Sequence, residues 1–252
     1  MTVKALRKQL MAAIAMVVVA AVALSSSTYA WFASNNTVSA EGANIAVTSD
    51  VATLLISRDK TTASEIQAQN KTIVDLSTSD ATKLKPAQHG TVSGAGSSQT
   101  ITAITAGDGV TAFDWYTQDA ESATAPTGKV GSATQLAGDD FGEYVLKYDL
   151  YMTVAKNSNP VKDIKVSAAT LTGDTAVKAL IVGETNSVEF SGSSNTPSSI
   201  LNGTNVSLTD AEVLHVELYI FYDGTAENIY TNNIPNIADT VITVSFSCVA
   251  DV

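Results

Sequence analysis

Only two histidines, His89 and His215, are available to this 252-residue chain for metal or proton-transfer chemistry. Neither stands in the His-Glu-x-x-His spacing that puts two imidazoles on one helix face to hold zinc. His215-Val216-Glu217 falls instead in an alternating apolar run, where residues two apart share a strand face. There His215 and Glu217 are neighbours on a solvated face, or share a metal with a third ligand from elsewhere; the solvated face is the expectation. Nucleophilic catalysis needs a serine or cysteine beside a base, and no Gly-x-Ser-x-Gly elbow is present. The single cysteine, Cys248, runs in register with Val244 and Phe246, so it reads as a small buried hydrophobe with an unreactive thiol. Asp139-Asp140-Phe141-Gly142-Glu143 gathers three carboxylates of the kind calcium prefers, but it lacks the spacing of a calcium loop and reads as a solvated acidic turn. Trp115, Tyr116, Tyr219, Phe221 and Tyr230 could line a sugar-binding face, although aromatic residues at strand spacing are more often core. The expectation is a chain with no catalytic, cofactor or metal residues, and hence not an enzyme.

The elements that position these side chains are strands. Strict alternation of apolar residues marks one buried strand face. It runs through the even positions of 144–154 (Tyr144, Leu146, Tyr148, Leu150, Met152, Val154), of 214–222 and of 242–248. Shorter strand candidates lie at 45–47, 53–57, 100–104, 110–115, 164–168 and 177–182, and a short helical pattern at 61–69. Turn residues such as Asp223-Gly224 and Asn202-Gly203 punctuate the runs. Residues 118–139 and 183–205, apart from Val188 and Phe190, read as surface loops. About eight or more short strands predict an all-β fold, a jelly-roll-like antiparallel β-sandwich preceded by an N-terminal signal helix.

The first 30 residues read as a targeting segment. Lys4, Arg7 and Lys8 precede an uncharged apolar run from Leu10 to Leu24, followed by small polar residues up to Thr28-Tyr29-Ala30. The run falls short of the roughly 20 residues that span a bilayer core, which favours a cleaved signal; the rival is an uncleaved anchor lengthened by Ala30, Trp31 and Phe32. All 25 acidic residues lie after residue 30 and three of the 14 basic ones before it, which leaves the remainder with a formal charge of −14. Such a surface repels nucleic acid and anionic lipid, so no nucleic-acid partner is expected, and a membrane is met only through an uncleaved signal segment. One cysteine excludes an internal disulfide, and exported Gram-positive proteins are often cysteine-poor in this way.

The residues at the end of the signal carry a resemblance. Thr28-Tyr29-Ala30-Trp31-Phe32 is followed by Val38-Ser39-Ala40-Glu41-Gly42-Ala43-Asn44-Ile45-Ala46-Val47, and the block from His215 to Phe246 holds a Tyr-x-Phe-Tyr-Asp-Gly-Thr turn and a terminal strand. In both respects the chain resembles the TasA/camelysin family. The resemblance implies export, cleavage between Ala30 and Trp31 by a dedicated signal peptidase, SipW, and a jelly-roll domain. In the best-understood members it also implies assembly into biofilm fibres, in which the N-terminal segment of one subunit completes the sheet of the next. It covers the two ends of the chain; the stretch around 57–140 matches nothing in it and implies a long variable insertion in a single domain over 31–252. Some relatives are labelled metallopeptidases, a label to which the missing zinc-helix motif gives no chemical support.

A mature chain starting Trp31-Phe32 and running uncharged through Val38 to Glu41 places two large rings at a free end, and each needs burial worth about 1.5–3 kcal/mol. Strand addition to a second copy supplies it, and so does folding back on the same domain. Three functions follow as alternatives: a homopolymeric fibre subunit, a secreted camelysin-like metallopeptidase, and a surface adhesin or carbohydrate-binding module.

Overall fold

A computed structural model describes residues 43–48, 53–76, 84–95, 99–117, 133–173, 175–194, 200–226 and 240–251. The expected signal peptide, its cleavage residues Ala30 and Trp31, and the assembly residues Phe32 and Val38 lie outside the described residues. The strands are β1 (Ala43–Thr48), β2 (Leu54–Ser57), β3 (Ile73–Leu76), β4 (Ala87–Ser93), β5 (Thr100–Ala103), β6 (Trp115–Thr117) and β7 (Val145–Val154). They continue with β8 (Val161–Thr172), β9 (Val177–Val182), β10 (Ser187–Phe190), β11 (Ser193–Ser194), β12 (Leu214–Tyr222) and β13 (Val241–Ala250). One helix, α1 (Ala63–Gln69), and a 3₁₀ turn at Gly138–Glu143 complete the described elements.

Two five-stranded sheets, in the orders β11-β8-β13-β1-β3 and β10-β9-β12-β7-β2, share one core. Alternation explains how each strand enters it. On β7 the core takes Tyr148, Leu150, Met152 and Val154; on β12 it takes Leu214, Val216, Leu218, Ile220 and Tyr222; on β13 it takes Ile242, Val244 and Phe246. From β7 to β10, and again from β11 to β13, the chain passes repeatedly between the two sheets. The fold is all-β and sandwich-like, as expected from the alternation.

The described strand pairs are antiparallel, as expected, with one exception. β1 runs parallel to β13, Asn44 beside Thr243 and Val47 beside Phe246, and antiparallel to β3, Ala43 beside Leu76. The first described strand thus stands between the last one and β3.

A third sheet, β5-β4-β6, was not expected. It covers the outer face of the β9-β12-β7 sheet through a second cluster that includes Ala87, Trp115, Leu136, Val145, Leu180 and Phe221. That cover is why Phe221, on the solvent face by alternation, is fully buried. Helix α1 sits beside β2 and β7, with Ile66 buried and the Gln67 amide donating to the carbonyls of Val154 and Asp210 at 2.9 and 2.6 Å. Residues 57–140 are therefore more than an added loop: Val74 and Leu76 of β3 belong to the main core. Only the start of β6 lies in the expected strand at 110–115, and 183–205 contains β10, β11 and the buried pair Leu201 and Asn202 rather than surface loop alone.

Candidate functional site

Two places combine chemistry with position. The first is the slot between β3 and β13. β1 fills it, paired with β13 at Asn44–Thr48 and with β3 at Ala43–Ala46, which is the geometry by which a strand is added to a sheet. Residues 31–42, whose apolar start was singled out in the sequence, precede β1 in the chain and lie outside the described residues.

The second lies on the outer face of the β12-β7 pair, between α1 and the third sheet. Glu217 is directly opposite Asp149, and His215 directly opposite Tyr151. The sequence paired His215 with Glu217 on one strand face; the sheet adds Asp149 and Lys147, which share that face from the neighbouring strand. His215 Nε2 lies 2.9 Å from Asp149 Oδ1, and its ring stacks on Tyr151 at 4.8 Å between centroids and 16° between planes. Lys147 Nζ is 2.5 Å from Glu217 Oε1 and 3.6 Å from Asp149 Oδ1. Partial burial works against the Lys147 charge, but Glu217 and then Asp149 outweigh it and hold the ammonium above its ordinary range. The Tyr219 hydroxyl donates to Glu217 Oε2 at 2.7 Å, and burial together with that carboxylate pushes its pKa well above the ordinary phenol value, so it stays a donor. Two carboxylates opposite each other repel, and the arrangement stands because a cation sits between them.

A further polar cluster escaped the sequence reading. His89 on β4 is fully buried, ringed edge-on by Phe113, Trp115 and Phe221 at 5.0, 5.2 and 5.6 Å. Its Nε2 lies 2.5 Å from Glu189 Oε2 on β10, while its Nδ1 has no hydrogen-bond partner among the described residues. Lys178 on β9 bridges Glu189 at 3.0 Å and Asp223 at 2.8 Å. Burial raises the cost of each charge, yet the His89 contact and the ammonium hold the Glu189 carboxyl below its ordinary range, and Lys178 with Thr225 does the same for Asp223. These four side chains pin the third sheet to the sandwich. Their positions in the sequence are 89, 178, 189 and 223, and no local pattern links them.

The remaining predicted residues take structural places. Cys248 is half-buried against the main core rather than fully buried, because a register shift between Ser247 and Val249 interrupts the alternation. Glu143 of the acidic turn is engaged by Lys85 at 2.5 Å, and the side chains of Asp139 and Asp140 lie outside the described residues. Trp115, Tyr219 and Phe221 pack with one another in the second cluster, as the core reading of the aromatic residues expected; Tyr116 is half-buried, and Tyr230 lies outside the described residues. No family model matches the chain, and no curated protein or solved structure does either.

Proposed function

We propose that this chain is an exported, non-enzymatic structural subunit of an extracellular fibre or biofilm matrix, built on a jelly-roll sandwich, whose copies join by N-terminal strand addition. The observation that carries the reading is the place of β1, flanked by β13 on one side and β3 on the other. A strand that enters such a slot through main-chain bonds can come from a second copy as well as from its own chain. Contacts made head to tail in this way propagate as filaments wherever their rotation does not close a ring. The repeated passage of the chain between sheets supports the jelly-roll assignment, and the acidic composition suits a soluble exported subunit. Its partners are then further copies of itself and a SipW-type peptidase that cuts between Ala30 and Trp31.

The test is deletion of residues 31–38 from the mature protein, with circular dichroism to follow the fold and light scattering to follow assembly. The deletion touches no described strand, so the fold should persist while assembly is lost. Filaments unchanged by the deletion refute strand addition. Unfolding assigns the segment to its own core. N-terminal sequencing of secreted material should begin at Trp31.

A further inference from the structure

We propose that Asp149 and Glu217, facing each other across β7 and β12, together with His215 on the same face, bind one divalent first-row transition-metal ion of the zinc class. One ligand atom from each of the three residues lies within 4.8 Å of the other two. Zinc takes nitrogen and carboxylate oxygen at about 2.0–2.2 Å, which separates its ligands by about 3–4 Å, so the three need to draw in by only about 1–2 Å around an ion.

Three observations beyond proximity support the site. The Lys147 ammonium, between the two carboxylates, stands in for the cation and marks a place where positive charge is stabilised. It does so from a flexible four-carbon stem that can swing out when a doubly charged ion arrives. The His215 ring is oriented by its stack on Tyr151. The Tyr219 hydroxyl orients Glu217 by donating to Oε2 and leaves Oε1, now held by Lys147, for the metal. Ordering of ligands by outer partners is what separates a built site from a chance meeting of side chains. The donor set, one imidazole and two carboxylates with further positions open to water, suits zinc and its first-row neighbours better than calcium, which takes oxygen ligands alone. The site makes no use of β1 or residues 31–38, so it stands or falls apart from the assembly reading.

The experiment is zinc titration of the mature protein by calorimetry, paired with NMR of the imidazole resonances. The chain has two histidines, and buried His89 serves as the internal control. One ion per chain should bind, shifting the His215 resonances and leaving those of His89 in place. Affinity should fall by about 100-fold or more in His215→Ala and in the near-isosteric Glu217→Gln, and hold or rise in Lys147→Met. Absence of saturable uptake by the intact protein overturns the proposal, and so does uptake by Lys147→Met alone, because the native lysine then excludes the ion. Binding that leaves the His215 resonances unmoved, or that both ligand variants retain, also overturns it.

Discussion

Replacing Trp115 with alanine should detach the third sheet while leaving the sandwich folded. The indole is 4% exposed and meets four rings: Phe221 at 4.9 Å, His89 at 5.2 Å, Tyr219 at 5.4 Å and Phe141 at 6.1 Å. Losing a buried tryptophan costs about 3–5 kcal/mol, and ring pairs contribute about 0.5–1.5 kcal/mol each within that figure. None of the side chains in its cluster belongs to the main core, so the loss falls on the layer formed by β4, β5 and β6. At 1.4 kcal/mol per factor of ten, the opening equilibrium of that layer should rise by roughly two to three and a half powers of ten. Hydrogen exchange resolved by peptide measures this directly. Amides of β4 and β6 should lose protection by that factor, whereas those of β8 and β13, in the sheet on the far side of the core, should change less than about threefold. Equal losses in both sets would show that the three layers open as one unit; unchanged exchange in β4 and β6 would show that Trp115 does not hold the layer. Either result refutes the reasoning.

Acid should weaken the same junction. Glu189 and Asp223 are held below the ordinary carboxylate range, so their stabilisation is present above about pH 4–5 and is lost as pH falls through their lowered values. Thermal melts across that range should show a slope that shrinks in Glu189→Gln. Asn202→Ala removes the side chain that accepts from the Ile164 amide at 2.9 Å and donates to the Val206 carbonyl at 2.7 Å, and urea titration should register a loss of about 1–3 kcal/mol. Gly183→Ala places a Cβ 2.5 Å from the Leu201 carbonyl oxygen and 2.6 Å from its Cβ, so the backbone must shift, and the melting midpoint should fall by several degrees. Peptidase assays with added zinc should show no turnover; activity that vanishes in His215→Ala with the fold intact would establish the metallopeptidase alternative instead.

The long strands were legible because each carries its own pattern. Five core positions on β12 alternate without interruption, and β9 falls on the expected residues 177–182. Short strands were legible where a brief apolar run marks them, as at β1, β2 and β5, and not where none does. β4 reads Ala-Gln-His-Gly-Thr-Val-Ser, with Gly90 required because a Cβ there would lie 2.2 Å from the Thr102 carbonyl oxygen. Its burial comes from being pressed onto another sheet, a tertiary fact with no local signature. Half of the outer-face site could be read, since His215 and Glu217 are two apart. Asp149 and Lys147 join them only once the register of β7 against β12 is known, and register is set by the hydrophobic pattern of both strands together.

The parallel pair of β1 and β13 also constrains the order of events. Asn44 cannot meet Thr243 until nearly the whole described chain has been made. Loop closure over such a separation is slow, so contact order places the docking of β1 late. Until then the edges of β3 and β13 present unpaired main-chain groups, and any extended segment within reach can compete for them. A late-closing slot is thus a kinetic window, its width set by the ratio of local concentration within one chain to the concentration of other chains, and a higher concentration of copies shifts that ratio toward exchange.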